Sequence, residues 1–126
     1  MRGGLTVPRL VLPLPPNELR LNRRIGGYRG KLGLKERYMQ DCQMAALTQA
    51  AQWKDIPQTW PVCVKGTVFL PSRWRADPAD VGGWAKSAMD ALVQMGVWPD
   101  DDSRYIRPFV GDVQHDKANP RLELEW

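Results

Sequence analysis

The chain has 126 residues, the size of one ordinary domain, and its 43% hydrophobic and 25% charged residues exclude a disordered chain. With 2 cysteines and 1 histidine it has too little for a disulfide framework, and a histidine-based triad or zinc centre is disfavoured. Formal net charge is +4, and no stretch approaches the roughly 18 apolar residues of a membrane span.

Residues 5–14, LTVPRLVLPL, read as a strand, and Pro8 suggests an edge or an interrupted ladder. Residues 17–33 have no sustained period and contain four glycines, so they are expected to form a basic loop. Such a loop is either a connector or a flap that lies on a nucleic-acid backbone. Residues 34–53 read as a helix, because Leu34, Tyr38, Cys42, Ala45, Ala46, Gln49 and Trp53 recur at three- and four-residue steps. Residues 61–70 alternate: Val62, Val64, Val68 and Leu70 face one way, and Cys63, Lys65, Thr67 and Phe69 the other. Cys42 and Cys63 are both expected to be buried thiols.

A second helix is expected over 80–95, with Val81, Trp84, Ala85, Ala88, Met89, Leu92 and Val93 on its apolar face. Gly96 is its natural C-terminal cap and Pro99 prevents continuation. Residues 104–111 read as a strand weakened by Pro108, His115 falls in a polar loop, and RLELEW at 121–126 reads as a closing strand. The order β-α-β-α-β-β implies an α/β fold: a two-layer single domain over 1–126, a mixed β-sheet with two main helices on one face.

Charge is unevenly spread. Residues 1–40 hold nine Lys/Arg against two acids, a surplus of seven that suits phosphates but is also met by a solvated basic face. Six of the 14 acidic residues (Asp77, Asp80, Asp90, Asp100, Asp101, Asp102) lie between Arg73 and Ser103. Clustered aspartates can bind Mg²⁺ or Mn²⁺, and a nearby lysine such as Lys86 can neutralise charge on a phosphoryl group in flight. Arg73 and Arg75 can hold a phosphodiester backbone. Together these parts describe a metal-dependent nuclease. Each also has a plainer explanation. Asp77-Pro78 is a good helix start, Asp80 complements the helix dipole, Lys86 and Asp90 form an exposed pair, and Asp100–Asp102 make a solvated turn.

Asp77 or Asp80, Lys86, Asp90-Ala91-Leu92, Gly96, Trp98 and Asp100-Asp101 together resemble the RusA family of Holliday junction resolvases, small dimeric endonucleases often carried by phages and prophages. The family pattern runs Asp-x-Asp-Asn, a Lys, Asp-Ala-Leu, then Gly and an Asp-Asp pair. PLPPNELRLNRR at 13–24 resembles its opening strand, and RLELEW its closing strand, so the likeness spans nearly the whole chain. No single motif is strong; their order and spacing carry the likeness. The first acidic motif departs from the pattern. With Asp77 as its first acid, Ala79 stands where the second belongs and Asp80 takes the Asn place. With Asp80 first, Gly82 and Gly83 stand there instead. The first register keeps two oxygen ligands, and Asp80 then substitutes for the missing acid.

The resemblance implies a RusA-like fold and a Mg²⁺-dependent endonuclease, with Mn²⁺ able to substitute, that cuts four-way DNA junctions by paired symmetric cuts. It also implies a homodimer in the cytoplasm of a bacterial or phage-infected cell. Asp77, Asp80, Asp100 and Asp101 would hold the metal, with Asp77, Asp80, Lys86 and Asp101 catalytic. Arg20, Arg23, Arg24, Arg29, Lys31, Arg73 and Arg75 would hold DNA. A helix over 80–95 is about 24 Å long and puts Asp77 and Asp100 beyond opposite ends. One chain unites them only if the helix is shorter or the chain doubles back; otherwise a two-fold partner supplies one set. The rival readings are a catalytically silent junction-binding dimer that has lost part of the acidic site, and a protein-interaction domain.

Overall fold

A computed structural model describes residues 7–20, 27–71 and 75–126, with 27–32 described for the backbone alone. Four strands form one mixed sheet: β1 (Arg9–Leu12), β2 (Val62–Leu70), β3 (Ile106–His115) and β4 (Arg121–Glu125). Their order is β1-β4-β2-β3, with β2 and β3 parallel and the other neighbours antiparallel. Three helices accompany them: α1 (Gly27–Thr48), α2 (Val81–Trp84) and α3 (Lys86–Met95).

Alternation decides which side of the sheet meets the core. Leu10, Leu12, Val64, Val68, Leu122 and Leu124 are buried from every second position. They join the helices' Tyr38, Cys42, Ala46, Trp84, Ala88 and Leu92 in one hydrophobic cluster. The opposite side of the sheet is held by charge. Glu123 is buried there between Arg9 and Arg121, and the Arg121 guanidinium lies 3.8 Å from the Phe69 ring centroid. Cys63 also points to this side and is exposed, against expectation, because a strand with one covered face must show its odd positions to solvent. Burial does hold for Cys42, and it pushes that thiol's pKa up to about 12.

β1 is shorter than expected, bounded by Pro8 and Pro13, and residues 5 and 6 lie outside the described residues. It is an edge strand, as Pro8 suggests. Its free side is closed by two glutamines. Gln49 accepts from the Val11 N–H at 2.8 Å and donates to the Val11 carbonyl at 2.7 Å, while Gln52 accepts from the Arg9 N–H at 3.2 Å.

α1 differs from expectation at both ends. Positions 27–33 belong to the helix rather than to a loop. Three glycines in seven residues hide any period there, but extending a helix already nucleated by a packed face is easy. The helix stops at Thr48, and the apolar stripe carries on through a short 3₁₀ turn, Ala50–Gln52. The Trp53 indole N–H donates back to the Ala46 carbonyl and fastens that turn.

β3 runs to His115, four residues beyond the expected end, and includes the histidine assigned to a loop. Parallel pairing with β2 supplies the partner that local composition does not announce. Pro108 lies where the register shifts between Val62 and Val64, so the missing N–H falls at an irregularity on an edge strand. Gly66 and Gly111 sit side by side across this pair. A Cβ on Gly66 would meet the Phe109 ring at 2.6 Å, and one on Gly111 would meet the Pro78 carbonyl oxygen at 2.2 Å. The chain before α2 therefore lies directly on β3.

The expected helix over 80–95 is broken. A 3₁₀ turn, Pro78–Asp80, leads into the four residues of α2, and α3 starts afresh after Ala85. Gly82 and Gly83 weaken helix continuity, and Gly82 packs near the Phe109 ring. Gly96 ends α3 as expected, with φ +84°. Its N–H reaches the Val93 carbonyl and the Val97 N–H the Leu92 carbonyl, a Schellman arrangement. No helix among the described residues is long and apolar enough to cross a membrane.

Candidate functional site

The Gly96 turn reverses the chain, and buried Val97 and Trp98 pull the segment after it against the core. Trp98 packs edge-on to Trp126 with centroids 5.2 Å apart. The acidic run is thereby laid back along α3. Asp101 meets Lys86 at the other end of that helix, and the Lys86 Nζ donates to its Oδ2. The same ammonium donates to Asp90 Oδ1, one helical turn on, at 2.9 Å. Lys35, from α1, donates to the other Asp90 oxygen at 3.1 Å. The result is an alternating row: Lys35, Asp90, Lys86, Asp101.

This row borders an open cleft of about 420 Å³ between α1 and α3, lined by Lys35, Met39, Asp90, Val93, Asp100 and Asp101 among others. Partial burial works against the charge on Lys86. Hydrogen bonds to Asp101 and Asp90, and the attraction of both carboxylates, more than offset it and raise its pKa above the usual lysine value. The ammonium is charged at neutral pH. Asp100 turns its Oδ1 to the N–H of Asp101 at 2.7 Å, and Asp102 pairs with Arg104 instead of joining the row.

Asp77 and Asp80 are placed differently. Asp77 caps the 3₁₀ turn, its Oδ1 accepting from the Ala79 N–H at 2.9 Å, and Pro78 follows as the sequence leads one to expect. Asp80 sits at the start of α2. Among the described residues, neither makes a hydrogen bond or ion pair with Lys86, Asp100 or Asp101. Nor, among those residues, do three or more His, Cys, Asp or Glu side chains form a group able to hold a metal ion. Among the described residues, one chain thus unites Lys86 with the Asp run without grouping three acids around a common point.

The expected DNA-binding residues divide in a similar way. Arg20 has structural partners: it covers the Trp84 ring at 5.2 Å and donates to the Arg75 carbonyl and to Asn17. Arg75 itself is exposed. Arg29 and Lys31 lie in the first turns of α1, described here for the backbone alone, and position 31 is one turn ahead of Lys35. Arg23, Arg24 and Arg73 lie outside the described residues.

Sequence reasoning missed Lys35 as a site residue and took Asp90 for half of an exposed helical pair. Only the packing of α1 on α3 reveals the contact, since the two residues are 55 apart in sequence. No protein-family model matches this chain, and no curated protein matches it.

Proposed function

We propose that this chain is a metal-dependent endonuclease acting on branched DNA, most directly four-way junctions. One observation supports this above the rest: the chain doubles back so that Asp101, which lines the cleft, meets Lys86, while the basic start of α1 lies one to two turns ahead of Lys35, which lines the same cleft. A lysine held beside carboxylates is placed to neutralise charge on a phosphodiester oxygen or on the oxygen that leaves. The cleft is open enough for a strand to approach, and the excess of cations over residues 1–40 supplies the long-range attraction. The RusA-like arrangement, with a two-fold partner giving two symmetric cuts, belongs to the same proposal.

The carboxylates of a single chain do not fit a resident divalent ion by themselves. The proposal therefore asks that DNA phosphates or a second copy of the chain complete the ligand set, with Asp77 and Asp80 the acids still to be brought in. The same observation favours a second reading, a junction-binding dimer without cleavage, in which lysines have replaced the metal for good.

Incubation of a synthetic four-way junction with Mg²⁺ separates the two. The endonuclease cuts it, and Asp101→Asn lowers the rate by about 100-fold or more. Equal cutting by Asp101→Asn would remove Asp101 from the mechanism. Tight, salt-sensitive binding with no cleavage in Mg²⁺ or Mn²⁺ would leave the binding module.

A further inference from the structure

The segment that returns Asp101 to the cleft goes on to build a stack of flat groups. Tyr105 meets the Trp60 ring edge-on, with centroids 5.6 Å apart and planes at 84°. The Arg104 guanidinium lies over the Tyr105 ring, 5.3 Å from its centroid. Asp102 grips that guanidinium along its edge: Nε donates to one carboxylate oxygen at 3.0 Å and a terminal nitrogen to the other at 2.7 Å. The backbone N–H of Arg104 donates to the same carboxylate at 2.9 Å. Bonds along the edge leave the two faces of the plane open to stacking. One face covers Tyr105, and the side chain is still 71% exposed, so the other meets solvent. An ion pair this exposed adds little to stability. Its effect is to hold a flat cation still at the open end of an aromatic stack.

We propose that Arg104, seated on Tyr105, is a stacking platform for an unstacked nucleobase of DNA. A guanidinium already fixed in its plane loses little freedom when a base lies on it, and every base has a π-face to offer. Position and charge point to this ligand. Asp102 adjoins Asp101, which lines the cleft, so a strand entering the cleft passes close to the platform. Arg107, exposed and in no ion pair among the described residues, is available to a phosphate of the same strand. The platform rests on the nucleic-acid part of the endonuclease reading, because strands that change partners at a branch interrupt the base stack, but it requires no cleavage.

The test compares two fluorescently labelled probes of equal length and charge, an oligothymidylate of about 12 nucleotides and its abasic counterpart, binding to the full chain at low ionic strength. The unaltered chain should hold the thymidylate about 5-fold or more tightly than the abasic strand, the effect of one stacked base. Arg104→Lys keeps the charge and removes the plane. It should abolish that preference while changing affinity for the abasic strand by less than about twofold. Arg107→Gln should weaken both probes alike, because a phosphate contact reads no base. Equal binding of the two probes by the unaltered chain, an Arg104→Lys chain that keeps the preference, or no binding of either probe would overturn the platform. So would a loss in Arg107→Gln confined to the thymidylate, which would move the stack to another residue. A preserved preference together with an uncut junction would sink the endonuclease reading alone, and a cut junction with no preference would sink the platform alone.

Discussion

Trp84 and Trp98 are both buried, but their indole N–H groups differ. Trp84 donates to the Pro16 carbonyl at 2.9 Å, whereas the Trp98 N–H has no partner among the described residues. Replacing Trp84 by Phe removes volume and leaves a carbonyl without its donor; replacing Trp98 by Phe removes volume and an unsatisfied donor. Trp84→Phe should therefore be the more destabilising change by about 1–2 kcal/mol in urea unfolding, and equal losses would contradict the assignment. Asp102 gives a second residue-scale expectation. The Arg104 side chain and its backbone N–H hydrogen-bond to the carboxylate and hold its pKa down at about 2. A lowered carboxyl pKa adds stability that is fully present above the ordinary value of about 3.9 and is lost as pH falls through the folded value. An NMR titration of the Asp102 carboxyl should show a midpoint near 2, and Arg104→Ala should return it to the ordinary range. At this scale the sequence was readable where partners are near. In the Asp77 cap, the Gly96 turn and the Lys86–Asp90 pair, each group's partner is within a few residues along the chain, while Lys35 and Asp101 are brought in by packing and by a reversal of the chain.

The elements were recovered best where one residue pattern persists. The alternation of β2 and β4 and the stripe of α1 from Leu34 onward survive in the structure. Those that were misjudged contain glycine or proline at positions whose meaning is tertiary. Gly82 and Gly83 break what an apolar stripe presents as one helix, and Pro108 is tolerated because β3 is an edge with a register shift. The glycines of α1 and β3 make this testable. Gly33 has open space around its missing Cβ in mid-helix, so Gly33→Ala should stabilise by about 0.5–1 kcal/mol. A Cβ on Gly111 would collide with the Pro78 carbonyl, so Gly111→Ala should destabilise by roughly 1–3 kcal/mol and displace the Asp77–Asp80 turn. Thermal melts of the two variants moving the same way would refute this account of the packing.

For the whole molecule, the order of strands and helices pointed to one mixed sheet with helices against it, and such a sheet is present. Sequence order does not reveal that β4 enters the middle of the sheet between β1 and β2, because that depends on which edges find partners. The expected 24 Å separation of the acids assumed an unbroken helix. The break at Ala85 and the return after Gly96 set Asp101 beside Lys86 within one chain, while Asp77 and Asp80, among the described residues, make no hydrogen bond or ion pair with that row. If the proposed dimer forms, sedimentation should report twice the 14.3 kDa of one chain at micromolar concentration, and a monomer there would contradict it.

The glutamines on β1 bear on how any such pairing can occur. A strand adding to β1 would need the Val11 N–H, the Val11 carbonyl and the Arg9 N–H, and all three are already engaged by Gln49 and Gln52. That border of the sheet is sealed by side chains that imitate a neighbouring strand. Of the two borders of this sheet, β1 is thus closed to an incoming strand, and the other, β3, is the strand on which the Asp77–Asp80 turn rests.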